Sequence, residues 1–295
     1  MISKKYLAPN AITATSMFLG FLSIISSING EFDKTVLFII FAMICDGLDG
    51  KTARKLDAFS EFGKEFDSFA DAISFGIAPA ILLYCKLSED MTTLSPEVSK
   101  NIASLVTPIS FLYAFCGVMR LVKFNVVTVA SSEKDDFSGM PIPNAASMVC
   151  SYYIICHSLN DRFKLNWYNP RTFMAIAAIA AILMVSTIPF KTPDKSFPFI
   201  PKKFFNVFVL AVLITWRYSL FIFTALYLMI NILNYLKKRL YGNNSPDDPE
   251  EYGEYIEEDE FEEDIEKKTT YASVNDSKKS QTNKEKDNIE NLEDR

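Results

Sequence analysis

Long apolar runs alternate with short polar segments from residue 11 to residue 236. Because an α-helix rises about 1.5 Å per residue and the hydrocarbon core of a bilayer is about 30 Å thick, apolar runs of about 20 residues are typical of membrane helices. The pattern predicts an all-α fold, a polytopic membrane helical bundle with about eight transmembrane helices. The predicted spans are 11–28, 35–56, 62–85, 104–126, 144–159, 171–188, 204–214 and 217–236.

The segment 204–236 fits either one long span or two short ones. As a single helix it would be about 50 Å long, well beyond the ~30 Å hydrocarbon core. Basic loops mark the cytoplasmic side of a membrane protein, and two spans in this segment would place all five basic clusters there. Both termini are then predicted to be cytoplasmic. The clusters lie at 4–5, 51–64, 120–134, 191–203 and 237–239.

The C-terminal segment 243–295 differs in composition from the rest of the chain. It holds 19 acidic and 7 basic residues and few apolar ones, so it cannot bury a core and is predicted to be a disordered acidic tail. Residues 1–242 form the predicted membrane domain. That domain has a net positive charge, which suits anionic lipids and anionic substrates. Membrane lipids are therefore expected partners, and nucleic acid is not.

Four aspartates interrupt the second and third predicted spans: Asp46, Asp49, Asp67 and Asp71. A carboxylate inside a bilayer costs about 2.5–3.5 kcal/mol on insertion scales, so four of them in one hairpin need a purpose. Residues three or four apart share a helix face, and two packed helices would bring both pairs together. Carboxylates that close favour cations between them, and oxygen ligands suit magnesium, manganese or calcium.

Small residues accompany the acids at helical spacing. Gly50 and Ala53 follow the first pair of aspartates and Gly63 precedes the second pair, so a ligand can approach the helix backbone closely. Arg54 adds a fixed cation suited to a phosphate. Acids that hold a divalent metal, beside an arginine that binds phosphate, are the groups that phosphoryl transfer requires.

These residues form one continuous pattern, D-x-x-D-G-x-x-A-R-x8-G-x3-D-x3-D, from Asp46 to Asp71. The pattern resembles the signature of the CDP-alcohol phosphatidyltransferases, which are integral membrane enzymes of phospholipid synthesis. Further segments resemble the branch of that family that transfers a phosphatidyl group from CDP-diacylglycerol to L-serine. They are Leu7, Pro9, Asn10 and Thr13 in L-x-P-N-x-x-T, and the stretches 67–79, 120–126, 139–146 and 183–190. Lys123 departs from the pattern, because the family usually has arginine there.

The resemblance implies a role for each motif residue. Asp46, Asp49 and Asp67 would hold two divalent metals, Mg²⁺ or Mn²⁺, with Asp71 as a shared ligand. Asp71 would also be the general base that takes the proton from the serine hydroxyl, after which CMP leaves. The residues implied to bind the CDP-lipid are Asn10, Thr13, Gly50, Ala53, Arg54 and Gly63.

The acceptor side of the site has a separate set of candidate residues. Arg120, Lys123, Phe124 and Asn125 are candidates for binding the serine carboxylate or a phosphate. The alternative for Arg120 and Lys123 is that they anchor a cytoplasmic helix end. The resemblance also implies a homodimer in the cell or inner membrane, with the active site on the cytoplasmic side.

Other interpretations stay open from the sequence. The same chemistry would serve glycerol 3-phosphate, inositol or choline as the acceptor, or an archaeal-type lipid as the donor. Buried acids also mark ion pathways, so an ion-coupled transporter is a rival of another class, although it predicts acids spread across the membrane depth. Structural pairing of the acids with Lys51, Arg54, Lys55 and Lys64 would account for one or two of them.

Overall fold

The computed structural model describes residues 4–93, 96–130, 139–164, 167–190 and 216–241. Every regular element in these residues is helical, which confirms the predicted all-α class. A 3₁₀ turn, Lys4–Tyr6, leads into the first helix. The helices are α1 (Leu7–Ile28), α2 (Phe32–Lys55), α3 (Glu61–Asp71), α4 (Ala78–Thr93), α5 (Pro96–Ala130), α6 (Ile142–Phe163), α7 (Pro170–Val185) and α8 (Trp216–Tyr241), with a π-helical segment (Ala72–Ile77) between α3 and α4.

Several helical segments are long and apolar enough to cross a bilayer. Large apolar side chains such as Phe18, Phe111 and Ile222 are exposed on them, which suits contact with lipid rather than water. The chain is therefore an integral membrane protein. The segments are Leu7–Ile28, Glu61–Thr92, Ile102–Val126 and Ser219–Lys237.

Three further helices coincide with predicted spans but are shorter or more polar. Helix α7 has 16 residues and is apolar throughout its core-facing side, whereas α2 and α6 carry charged or polar residues along part of their length. The predicted span 204–214 lies outside the described residues, as does the predicted tail. The total of eight spans stays a prediction.

Helices α1 and α2 pack closely because α1 presents small and hydroxyl-bearing residues to its neighbour. The Ser16 hydroxyl donates to the Ala42 carbonyl at 3.0 Å, and the hydroxyls of Ser27 and Thr35 lie 3.1 Å apart. Small residues allow such close approach between membrane helices, and interhelical hydrogen bonds reinforce it. The first helix is thereby fixed beside the helix that carries Asp46 and Asp49.

The π-helical segment follows Asp71 directly and is held from two sides. The Ser74 hydroxyl donates to the Ser16 carbonyl on α1 at 3.1 Å, and the buried Tyr113 hydroxyl on α5 donates to the Phe75 carbonyl at 3.1 Å. A π segment shifts the helical register and frees carbonyls, so these bonds satisfy groups that the helix itself does not. A Cβ at Gly20 would overlap Ser74, so α1 requires glycine at this crossing.

Helix α6 lies among the other helices, and its buried face includes small residues such as Ala145 and Ala146. Helix α7 packs against α5 and α6 through its own alanines, while α8 packs mainly on α6. The backbone before α6 is tied to the end of α7, since the N–H of Met140 donates to the Leu183 carbonyl at 2.9 Å. The start of α6 is thus fixed close to the end of α7.

Candidate active site

Three aspartates from two helices converge beside α1. Carboxylate oxygens of Asp46, Asp49 and Asp67 all lie within 4.8 Å of one another. Asp46 and Asp49 are one turn apart on α2, and Asp67 stands on α3 after the turn that Ser60 caps by accepting from the N–H of Gly63 at 3.0 Å. The side-chain convergence that the spacing predicts is therefore present for these three residues.

Asp71 is the last residue of α3 and joins the same group. Its side chain lies close to those of Asp46 and Asp67, so four carboxyl groups are treated as one aspartate cluster: Asp46, Asp49, Asp67 and Asp71. Two carboxyl groups in direct contact must share a proton or have a cation between them. The cluster thus requires positive charge that its own acids cannot supply.

Nearby basic residues do not neutralise the cluster through contact. Among the described residues, Lys51, Arg54, Lys55 and Lys64 make no ion pair within 4.0 Å of any of the four aspartates. Structural pairing with the hairpin's own cations is therefore not how these acids are held. What remains is an exogenous cation or a proton.

The donor set fits a hard divalent metal. It consists of carboxylate oxygens, which magnesium, manganese and calcium prefer, and it spans the short distances that one or two ions bridge. The Thr13 hydroxyl on α1 donates to Asp49 Oδ2 at 2.7 Å and also lies 3.1 Å from the Pro9 carbonyl. A metal-binding carboxylate oriented by such an outer hydrogen bond is a recurrent feature of metal sites.

The residues predicted to bind the CDP-lipid surround the same cluster. A Cβ at Gly47 would meet nothing within 4 Å, and one at Gly50 would meet only the Arg54 Nη2 at 3.9 Å, so this face of α2 is open beside Asp49. Arg54 Nε donates back to the Gly50 carbonyl at 3.1 Å, which holds its guanidinium along the helix. Ala53 continues this surface, half-buried, toward the end of α2.

Asn10, near the start of α1, lies beside Gly63, near the start of α3. A Cβ at Gly63 would lie 3.5 Å from Asn10 Oδ1, so the small residue keeps this polar side chain at the edge of the site. Thr13 is one turn further along α1 and contacts Asp49 directly. Of the L-x-P-N-x-x-T motif, Thr13 therefore contacts an aspartate and Asn10 lies beside Gly63, one turn before Asp67.

The four predicted acceptor-binding residues separate into two pairs. Arg120 is half-buried and lies within electrostatic range of Asp71, while Asn125 Nδ2 donates to the Ser68 hydroxyl on α3 at 3.0 Å. Lys123 and Phe124 have exposed side chains. The structure thus places Arg120 and Asn125 toward the aspartate cluster, and leaves Lys123 and Phe124 at the surface, where membrane-interface anchors are found.

Asn144 and Tyr227 are site residues that sequence reasoning missed. Tyr227 on α8 is 1% exposed and lies beside both Arg120 and the Asn144 side chain at the start of α6. Asn144 falls within the 139–146 stretch, so its motif was a signal for it. Tyr227 lies in no recognisable motif, and only tertiary packing brings it to the site.

Comparison with known proteins agrees with this geometry. A family model described as CDP-alcohol phosphatidyltransferase matches residues 6–192. A CDP-diacylglycerol–serine O-phosphatidyltransferase of Helicobacter pylori is 33% identical over 238 residues, covering 80% of this chain and 93% of the relative. The archaetidylserine synthase of Methanothermobacter thermautotrophicus is 32% identical over 188 residues, covering 63% of this chain and 70% of the relative.

A third relative is more similar over a shorter stretch. The CDP-diacylglycerol–serine O-phosphatidyltransferase of Bacillus subtilis is 41% identical over 137 residues, covering 46% of this chain and 70% of the relative. The family match contains the whole aspartate cluster together with Asn10, Thr13 and Arg120. The chain belongs to the CDP-alcohol phosphatidyltransferase family.

Proposed function

We propose that this protein transfers the phosphatidyl group of CDP-diacylglycerol to the hydroxyl of L-serine, giving phosphatidylserine and CMP. The observation that carries the proposal is the convergence of Asp46, Asp49 and Asp67 within 4.8 Å in an integral membrane protein of this family. The relatives named above support serine as the acceptor, because all three names contain it. The names differ in the lipid that is transferred. Of the three, the Helicobacter pylori relative is covered over 93% of its length, and its name specifies CDP-diacylglycerol.

Enzymes of this family depend on divalent metal ions, and the aspartate cluster provides the ligands here. We propose that Asp46, Asp49 and Asp67 hold two ions, Mg²⁺ or Mn²⁺, with Asp71 as a shared ligand at the edge. When bound, the ions neutralise charge on the pyrophosphate and on the departing CMP. Thr13 keeps the Asp49 carboxylate aimed into the cluster through its 2.7 Å hydrogen bond.

The protein's own groups perform the proton transfer. Asp71 takes the proton from the serine hydroxyl as general base, and the hydroxyl oxygen forms a bond to the phosphorus that bears diacylglycerol. The bond from that phosphorus to the bridging oxygen of the pyrophosphate breaks, and CMP leaves with the electron pair. Arg120 lies close enough to Asp71 to bind the carboxylate of the same serine.

The proposed donor-binding surface lies along α2, beside Asp49. The open face at Gly50 and Ala53 admits the cytidine and ribose, while Arg54 supplies a cation for a phosphate. Asn10 and Gly63 bound this surface where α1 and α3 begin. Asn125 acts indirectly, since its bond to Ser68 fixes α5 against the helix that carries Asp67 and Asp71.

We also propose a cytoplasmic active site, cytoplasmic termini and a homodimer. The positive clusters at alternate connections support the orientation. The division into a membrane domain at 1–242 and a disordered acidic tail at 243–295 is likewise a proposal, supported by the composition of the tail.

The direct test is release of CMP by the purified protein in detergent. We expect release only when CDP-diacylglycerol, serine and Mg²⁺ or Mn²⁺ are all present. Equal release with inositol, choline or glycerol 3-phosphate would contradict the acceptor assignment, and a preference for CDP-archaeol would contradict the donor assignment. Uptake of a solute by proteoliposomes without any CMP release would favour the transporter instead.

A further inference from the structure

Arg120 carries a buried hydrogen-bond donor that the protein leaves unused. Its Nε is inaccessible to solvent and has no hydrogen-bond partner among the described residues. The guanidinium lies near Asp71 yet beyond the 4.0 Å limit of an ion pair, so the two charges are close but not in contact. Buried donors are nearly always satisfied, so this one calls for an acceptor from a ligand.

Asn144 provides a second unused donor close by. Its Nδ2 is also buried without a hydrogen bond of good geometry among the described residues, although its side chain lies beside the Tyr227 hydroxyl. Tyr227 in turn lies within electrostatic range of Arg120. Arg120 thus lies near Asp71 and, like Asn144, beside Tyr227. A guanidinium and an amide, each with a buried N–H that has no partner among the described residues, are groups that recognise a carboxylate.

Tyr227 is held firmly enough to position these groups. Its ring stacks on the buried Phe190 with centroids 6.1 Å apart, and its backbone carbonyl accepts from Asn231 Nδ2 at 2.9 Å. The buried face of α8 carries Thr224, Tyr227 and Asn231 at helical spacing. Polar residues inside a membrane helix normally face a partner or a site, and this face is turned toward α6.

We propose that α8 completes the acceptor pocket, with Tyr227 as a positioning residue that holds Arg120 and Asn144 so that both donate to the carboxylate of the acceptor amino acid. Asn144 contacts the substrate and is a specificity residue, while Tyr227 acts through its neighbours. The family match ends at residue 192, so this role falls to a helix beyond the matched residues. The inference rests on the proposed serine transfer.

The test compares Tyr227→Phe with Tyr235→Phe, a control two turns further along the same helix. We expect Tyr227→Phe to raise the KM for serine about 3- to 10-fold, the worth of one neutral hydrogen bond, with the kcat and the KM for CDP-diacylglycerol nearly unchanged. Ethanolamine, which is serine without its carboxylate, serves as the second acceptor. We expect wild-type protein to turn over ethanolamine poorly and Tyr227→Phe to leave that turnover unchanged, so the preference for serine over ethanolamine should fall by the same factor.

Two substitutions at Asn144 distinguish binding of the serine carboxylate from a purely structural role. Asn144→Asp keeps the shape of the side chain but replaces the donor with a negative charge, so it should raise the KM for serine more than Asn144→Ala does. If Asn144 only filled space, the order would be reversed. Thermal unfolding in detergent checks that each variant is folded.

The outcomes separate this inference from the proposed function. If wild-type protein uses serine but Tyr227→Phe and Tyr235→Phe have the same kcat and KM values, the role of α8 is overturned and the proposed function is not. An equal rise in the KM values of serine and CDP-diacylglycerol would also overturn it. Wild-type protein that releases no CMP with serine would overturn both.

Discussion

A group of charged and polar side chains lies near each end of helix α2. The two groups differ in how the charge of their acids is balanced. The distal cluster comprises Asp33, Lys86, Asp90, His157 and Tyr168, and its acids have partners from the protein. Lys86 Nζ lies 2.9 Å from Asp90, the Tyr168 hydroxyl donates to Asp90 at 2.5 Å, and His157 Nε2 lies 3.4 Å from Asp33. About 20 Å along the helix, the aspartate cluster makes no ion pair within 4.0 Å with the cations of its own hairpin among the residues that the structure describes.

The two groups differ in whether their acids are paired with basic side chains of the described residues. In the distal cluster, Lys86 also lies over the rings of Phe32 and Tyr168, and burial raises the pKa of the Tyr168 hydroxyl well above its ordinary value, so it stays a donor. A cavity of about 540 Å³ lies beside this cluster, and its lining includes Asp33, Lys86, His157 and Tyr168. In the aspartate cluster no basic side chain of the described residues forms an ion pair with the acids, and we propose that a bound metal ion supplies the positive charge.

The largest contrast between the clusters is expected in catalysis. Asp71→Asn should lower the kcat of serine-dependent CMP release about 10²- to 10⁴-fold, because it removes the general base while keeping the side-chain volume. Asp33→Asn, at the other end of α2, should change the kcat by no more than about two-fold. Comparable losses in both variants, with both folded, would remove the functional distinction between the two ends.

Metal dependence should respond to the hydrogen bond that orients Asp49. Thr13→Val should raise the Mg²⁺ concentration for half-maximal activity about 10- to 100-fold, as loss of an outer-shell partner does in other metal sites. Saturating metal should restore most of the rate, and chelation by EDTA should abolish activity in wild-type and variant protein. Thr15→Val is the matched control, because the Thr15 hydroxyl on the exposed side of α1 donates to the Ala11 carbonyl of its own helix. An unchanged metal titration in Thr13→Val would show that Asp49 needs no orientation.

Substitutions in the distal cluster should change the stability of the protein and not its catalytic rate. Lys86→Met keeps the length of the side chain but leaves the mostly buried Asp90 without its cation, so the free energy of unfolding should fall by about 1–3 kcal/mol. Thermal unfolding in detergent measures this change, and the kcat at a permissive temperature should stay within about two-fold. A folded Lys86→Met protein that has lost activity would assign this cluster a catalytic role.

The smallest effect is expected at the exposed edge of the distal cluster. The His157 and Asp33 side chains are 37% and 41% exposed, and exposed ion pairs contribute about 0–1 kcal/mol. His157→Gln should therefore lower the free energy of unfolding by less than about 1 kcal/mol and leave activity unchanged. A larger loss of stability would show that the distal cluster acts as one cooperative network.

Features set by local periodicity were predictable from the sequence. Asp46 and Asp49 are three residues apart, so they lie on one face of a helix. The motif continues to Asp71, which predicts that the acids of the next helix lie near this face. The convergence of Asp46, Asp49 and Asp67 and the all-α membrane fold therefore followed from spacing and hydropathy. Whether 204–214 forms a separate span remains a prediction.

Features that depend on tertiary packing were not predictable in the same way. The π-helical segment Ala72–Ile77 is a change of helical register that leaves no mark in the apolar pattern. The sequence offered Arg120, Lys123, Phe124 and Asn125 as equal candidates, and only the packing of α5 separates the inner residues from the exposed ones. Tyr227 reaches the site through the packing of α8 on α6, which no motif reports.

Binding of Mn²⁺ tests most directly the central claim that the unpaired aspartates form a metal site. Electron paramagnetic resonance of free Mn²⁺ during titration of the full-length protein in detergent gives the number and affinity of bound ions. Wild-type protein and Asp33→Asn should bind Mn²⁺ alike, and Asp67→Asn should lose at least 10-fold in affinity, about the effect of removing a direct or outer-shell ligand. Undiminished binding by Asp67→Asn, or loss of binding in Asp33→Asn, would contradict the account.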